Sequence, residues 1–235
     1  MKDISSIIMD SILDRTWNGV SEENLAHYVI GVNRGNSDSQ SLYNKVIKNG
    51  YAKAAIKIEE HVRGLSIDIQ HAREGITRVL GRVWNGYSED HLARFVGLAG
   101  NPQELYNEVV RNGFVEATEQ IKKANPSVET NEKYAREGIT RVLGRVWNGY
   151  SEDHLARFVG LAGNPQELFD MVVQEGYVRA TMQILRQNSD LRIKSSLAYE
   201  GLGRLSVRVG HGYSNQDVTN FLQAVELNNV LKPNI

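Results

Sequence analysis

Between Arg73 and Trp84 the apolar residues Ile76, Val79, Leu80, Val83 and Trp84 fall at i, i+3, i+4, i+7 and i+8, a single stripe down one helix. Asn85-Gly86 ends that helix, because glycine accepts the left-handed backbone, and Ser88 stands where the cap of a second helix belongs. Leu92, Phe95, Val96 and Ala99 repeat the stripe. Gly100 ends it, and Asn101 and Pro102 open a third helix on Leu105, Tyr106, Val109 and Val110. Gly113 closes the third. A fourth runs from Phe114 to about Lys123 on Phe114, Ala117, Thr118 and Ile121, and Asn125-Pro126 ends it. No segment alternates with period two, so the pattern predicts four short helices and no strands.

The same pattern then recurs. The 34 residues from Ala72 to Leu105, AREGITRVLGRVWNGYSEDHLARFVGLAGNPQEL, return unchanged from Ala135 to Leu168, a displacement of 63. A divergent copy precedes them. It reads TWNGVSEENLAHYVIGVN around Trp17, keeps the spacing at Leu25, Tyr28, Val29 and Val32, and carries four extra residues between Arg34 and Ser41. A fourth, Ala198 to Val225, matches only the first half of the unit and keeps Val218, Phe221, Leu222 and Val225. The chain therefore divides into residues 1–66, 67–130, 131–193 and 194–235, with the two end copies reading as caps.

Self-similarity at a fixed period implies units that bury their apolar faces against their neighbours. The expected fold class is all-α, with 63-residue units of two helical hairpins stacked as an α-solenoid or superhelical array. In architecture the chain resembles the α-helical solenoids. The segment YSEDHLARFVGLAGNPQEL, from Tyr87 to Leu105, resembles in a general way the helix-loop-helix repeats of TAL-effector-like DNA-binding proteins, but its period differs and the chain is not basic.

Composition narrows the function classes. A net charge of −1 gives no general attraction to nucleic acid or anionic lipid, and zero cysteines remove disulfides, thiolate catalysis and cysteine-zinc sites together. No apolar run approaches the ~20 residues of a membrane span. The start Met1-Lys2-Asp3-Ile4 lacks the pattern of a secretory signal, so a cytoplasmic protein is expected, with delivery into a host cell as a bacterial effector kept open. There is no GxSxG, no HExxH and no phosphate loop, which points to a non-enzyme without cofactor or metal.

Four constellations are candidates for chemistry. Arg78 and Arg82 lie one turn apart and recur as Arg141 and Arg145 and as Arg204 and Arg208, a ladder able to grip phosphates or an acidic segment. Its bland reading is helix-surface pairing, since Glu74, Glu137 and Glu200 each lie four residues before an arginine. Trp84-Asn85-Gly86-Tyr87 and Trp147-Asn148-Gly149-Tyr150, with variants at Trp17 and at Gly210-His211-Gly212-Tyr213, offer aromatic anchors, although Trp84 also continues the apolar stripe and so reads as core or turn packing. Glu89-Asp90-His91 and its copy at Glu152 cannot converge on one metal ion from adjacent helix positions, and the helix dipole explains acids in a first turn. Gly81, Gly97 and Gly100, with Gly144, Gly160 and Gly163, read as helix ends and close helix contacts.

The expected function is a non-catalytic scaffold that recognises another protein through a repeated helical surface. A nucleic-acid-binding array built on the arginines and a self-assembling structural protein, joined through the incomplete fourth copy, are the alternatives.

Overall fold

The computed structural model describes residues 4–16, 20–33, 39–100 and 102–231, and every regular element among them is an α-helix. The first copy gives α1 (Ile4–Arg15), α2 (Glu22–Asn33), α3 (Ser39–Lys48) and α4 (Ala52–His61). The second gives α5 (Ile69–Arg82), α6 (Glu89–Gly97), α7 (Gln103–Arg111) and α8 (Val115–Ala124). The third gives α9 (Glu132–Arg145), α10 (Glu152–Gly160), α11 (Pro165–Gln174) and α12 (Val178–Gln187), and the fourth α13 (Ser195–Arg208) and α14 (Asn215–Leu231). Trp17, the segment 34–38 and the expected cap Asn101 lie outside the described residues.

Two compact units divide the chain, Met1–Val109 with Glu116–Val128, and Val110–Val115 with Glu129–Ile235. In the first, α3 lies against α1 and α5, and α4 against α2 and α6. In the second, α11 lies against α9 and α13, and α12 against α10 and α14. Each of these helices thus packs on the helix two places along as well as on its chain neighbour. The apolar stripes supply the contacts: Leu42, Tyr43, Val46 and Ile47 of α3 and Leu168, Phe169, Val172 and Val173 of α11 are all buried. Full burial of one such side chain contributes about 1.5–3 kcal/mol.

Local chemistry fixes the helix starts. Asp68 accepts a hydrogen bond from the Gln70 amide at 2.7 Å and Asn131 one from the Lys133 amide at 3.0 Å, each satisfying a donor that the first turn leaves free. The connecting segments are tied down in the same way. The Gln40 side chain donates to the Ser66 carbonyl at 2.7 Å and accepts from its amide at 3.0 Å, and Gln166 makes the same pair with Arg192 at 2.9 and 3.0 Å. In the fourth copy α14 runs for 17 residues where α6 and α10 have nine. Its added turns carry Asn228, which accepts from the Ile193 amide at 2.8 Å and donates to the Leu191 carbonyl at 3.1 Å.

The glycines divide differently from the sequence expectation. A Cβ on Gly81, Gly97, Gly100, Gly144 or Gly163 would meet nothing within 4 Å, and one on Gly160 would reach only the end of Gln187, so these residues make no close helix contact. The close approach occurs instead at Gly75, Gly138 and Gly201. A Cβ there would be driven into the carbonyl oxygen of Ile47, Val110 or Val173, at the end of the third helix of the preceding copy. That helix end is itself turned by a left-handed glycine, Gly50 at φ 65°, Gly113 at φ 66° and Gly176 at φ 70°.

This contrast gives a paired prediction two residues apart on α13. Gly201→Ala forces a methyl group into the Val173 carbonyl and should lower stability by on the order of 3 kcal/mol. Gly203→Ala points into open space within a helix and should raise it by up to about 1 kcal/mol. Urea denaturation of both variants against the parent checks the opposite signs.

Candidate partner-binding surface

The turn after each first helix is the most unusual backbone in the chain. Val83 leaves the helical region at φ −59°, ψ 128°, and Trp84 takes φ 69°, as Trp147 takes φ 73°, a left-handed conformation that a bulky side chain adopts only under strain. The Trp84 amide donates to the Tyr87 carbonyl at 2.8 Å and the Tyr87 amide returns to the Arg82 carbonyl at 3.1 Å, closing a tight loop with Gly86 at φ 105°. Helix α5 therefore ends two residues before Trp84, and the stripe that seemed to include Trp84 stops at Val83. The two rings are not core: Trp84 is 48% exposed and Trp147 55%. One edge of Trp147 rests on Tyr213, with ring centroids 5.8 Å apart at 86°, and beside Gly212. In the fourth copy the strained position is Gly210, at φ 84°, which glycine adopts freely.

Tyr87 and Tyr150 turn the other way and are buried. The Tyr87 hydroxyl accepts from the Ala52 amide at 2.9 Å and lies 2.7 Å from a carboxylate oxygen of Glu22. The other oxygen of Glu22 accepts from the Ala54 amide at 3.1 Å. Tyr213 and Glu152 repeat this at 2.7 Å, with Glu152 accepting from the Arg179 and Ala180 amides at 2.8 and 3.1 Å. Glu89 accepts from the Ala117 amide at 3.0 Å, and Tyr150 accepts from the Val115 amide at 3.1 Å. These carboxylates thus serve the amides that begin α4, α8 and α12, beyond their own helices, a role that helix-dipole reasoning on the sequence missed. Burial first, and the carboxylate beside each second, push the phenols of Tyr87 and Tyr213 far above the ordinary tyrosine range, so both remain neutral donors.

The arginine ladder reaches the end of a third helix, with Arg82, Arg145 and Arg208 half-buried and Arg78, Arg141 and Arg204 exposed. Arg82 donates to the Asn49 carbonyl at 3.1 Å and to that of Gly50; Arg145 donates to the Asn112 and Gly113 carbonyls, both at 2.8 Å; Arg208 donates to the Glu175 carbonyl at 2.7 Å. Each guanidinium also covers an aromatic ring, Tyr51, Phe114 or Tyr177, at 4.8, 4.6 and 4.8 Å from its centroid. The outer rung follows. Arg78 donates to the Lys48 carbonyl at 2.6 Å and the Asn49 side chain at 3.1 Å, Arg141 to the Asn112 side chain, and Arg204 to Glu175. The pairs expected within each helix do not form: Glu74 faces Lys48 at 3.1 Å, Glu137 faces Arg111 at 2.7 Å, and Glu200 accepts from Gln174 at 2.7 Å. A third helix ends with several carbonyls that no amide of its own serves, and Arg78, Arg82, Arg145 and Arg208 donate to them.

Helix α6 begins with a capping box in which histidine takes the usual glutamate's place. The Nδ1 atom of His91 accepts from the Ser88 amide at 3.2 Å, and His154 does the same with Ser151 at 3.1 Å. His91 stacks on Tyr87 and His154 on Tyr150, with ring centroids 5.7 and 4.5 Å apart. Burial, then Lys53 nearby, hold the His91 imidazole below the ordinary histidine value. Among the described residues no three carboxylate or histidine groups are gathered to hold a metal ion, and no helix is long and apolar enough to cross a membrane.

Two predictions follow from these contacts. Arg145→Ala strips two helix-end carbonyls and uncovers Phe114, so it should lower stability by about 1–3 kcal/mol, measurable by denaturant titration, whereas a merely solvated arginine would give less than about 0.5 kcal/mol. His91 is depressed in the fold, so its contribution is complete above the unfolded value of about 6.5 and is lost as pH falls through the folded one. The thermal midpoint should therefore drop further between about pH 7.5 and about pH 5 in the parent than in His91→Gln, whose amide is a cap at every pH.

The chain matches no family model, no curated protein and no solved structure, so its functional reading rests on the chemistry of these turns.

Proposed function

We propose that the four copies form a single α-solenoid array of 63-residue units, with boundaries near residues 66, 130 and 193, that acts in the cytoplasm as a non-catalytic scaffold for another protein. The array is supported by contacts that return with the sequence period: Arg82 on the end of α3, Arg145 on that of α7 and Arg208 on that of α11. The observation that carries the function is the pair of tryptophans. A strained turn costs on the order of 1–3 kcal/mol, and it is kept twice with a large ring about half in water. Tryptophan dominates binding hot spots because it offers much rigid apolar area for few frozen rotors. Asn85 and Ser88 beside Trp84 are exposed and supply a polar rim.

Two tryptophans on identical turns suit a partner with two equivalent apolar features, for which the second contact is made at high effective concentration. The nucleic-acid reading draws less support, because the guanidinium groups of the ladder are aimed at helix-end carbonyls and at Glu175.

The double variant Trp84→Gly, Trp147→Gly tests this. Glycine is native at the same turn of the fourth copy, so the fold should tolerate it, with a thermal midpoint within about 3 °C of the parent. Affinity capture at low and high salt, with and without nuclease, should show a protein held by the parent and lost, by at least about tenfold, by the variant. Capture unchanged in the variant, or retention that vanishes with nuclease, would overturn the proposal.

A further inference from the structure

We propose that the open face of α13 and α14 receives helix α1 of a second copy of this chain, so that the protein assembles head to tail. In the third copy the equivalent hairpin, α9 with α10, is closed by α11. Beneath it Ile139 and Val159 are fully buried. In the fourth copy no described helix lies there. Leu222 occupies the place of Val159 and is 42% exposed, and a groove of about 220 Å³ runs between the two helices, lined by Ala198, Leu202, Phe221, Leu222 and Val225, with Tyr199 and the polar Ser195 and Glu226 completing the lining.

One exchange states what that groove accepts. In the second and third copies the covering helix is held by an ion pair from the hairpin beneath, Arg73 with Glu104 and Arg136 with Glu167. The next position in that series is Tyr199, which is 76% exposed. The face has exchanged a charge for an aromatic ring, so its occupant must be apolar where α7 and α11 are acidic.

Helix α1 has that character. Ile4, Ile7 and Ile8, at i, i+3 and i+4, stand on its outer side with exposures of 72%, 55% and 43%, separated only by serines. Its inner side is already occupied, with Met9 fully buried, and with Ser6 and Asp10 bonded to Lys45 at 2.8 and 2.6 Å. It is thus a folded helix of 12 residues, close to the ten of α11, presenting an uncharged stripe to water. Two such exposed faces on one soluble chain, matched in chemistry and different in shape, make a heterologous contact that leaves a free face at each end.

Sedimentation of the whole chain over a roughly hundredfold range of concentration reads the contact. The mean mass should climb from 26.4 kDa past twice that value. Ile7→Glu with Ile8→Glu blocks the head, Tyr199→Glu with Leu222→Glu blocks the tail, and each should hold the mass at 26.4 kDa. An equimolar mixture of the two keeps one intact head and one intact tail, and should give a single species of twice 26.4 kDa. All four positions are exposed, so helix content by circular dichroism should stay at the parent's; if a double variant loses it, Ile4→Glu and Leu222→Glu replace the pairs. A parent that stays at 26.4 kDa at every concentration, a dimer that survives the head variant, or a mixture that stays monomeric would each overturn the proposal.

Discussion

The close crossing of one helix end over the next copy's first helix sets the terms for much of the structure. Gly50, Gly113 and Gly176 turn the end of a third helix, and Gly75, Gly138 and Gly201 let the following helix come within backbone contact of it. A helix that ends against another backbone leaves carbonyls that water reaches poorly, and each buried and unserved group costs about 1–3 kcal/mol. Arg82, Arg145 and Arg208 meet that requirement from the helix that crosses. Their planar fork reaches several acceptors while its face lies on Tyr51, Phe114 or Tyr177, which a lysine could not do.

The buried carboxylates depend on the same crossing. Once the third helix has turned at its glycine, the fourth begins at once, and its first amides are buried. Glu22, Glu89 and Glu152 stand there, at most 7% exposed. The hydrogen bonds from these amides and from Tyr87 or Tyr213 offset the desolvation that a lone carboxylate would suffer. Tyrosine comes from the turn that tryptophan opens, so the strained turn places one ring inside the fold and one outside.

Helices were legible in the sequence because an apolar stripe needs only its own segment: Leu105, Tyr106, Val109 and Val110 are buried as their spacing implies. The seam was not legible. Arg78 and Glu74 look like partners on their own helix, but both turn to Lys48 at the end of α3, Arg78 to its carbonyl and Glu74 to its ammonium group. Gly75 and Gly81 are the same letter on the same helix, and the carbonyl of Ile47, beside Gly75 alone, distinguishes their roles. Trp84 misled for a different reason. Periodicity extends a stripe as far as apolar residues continue, whereas the backbone leaves the helix at Val83 and carries the next ring outward.

The fourth copy separates these roles by what it alters. Positions that face the preceding copy are kept: Gly201 at the crossing, Arg208 on the Glu175 carbonyl, Tyr213 on Glu152. Positions that face a following element in the third copy are changed in the fourth: Glu152, which serves the start of α12, becomes Asn215, Arg136, which pairs with α11, becomes Tyr199, and Trp147 becomes Gly210, and among the described residues no helix follows α14. The tryptophan therefore has a partner in the next turn, and Tyr213 supplies it for Trp147. That contact accounts for one edge of the ring. With 55% of the residue still in water, it does not by itself offset a left-handed tryptophan that glycine relieves one copy later. The remaining exposed surface is what distinguishes Trp147 from the glutamate and the arginine beside it, whose partners within the fold satisfy them.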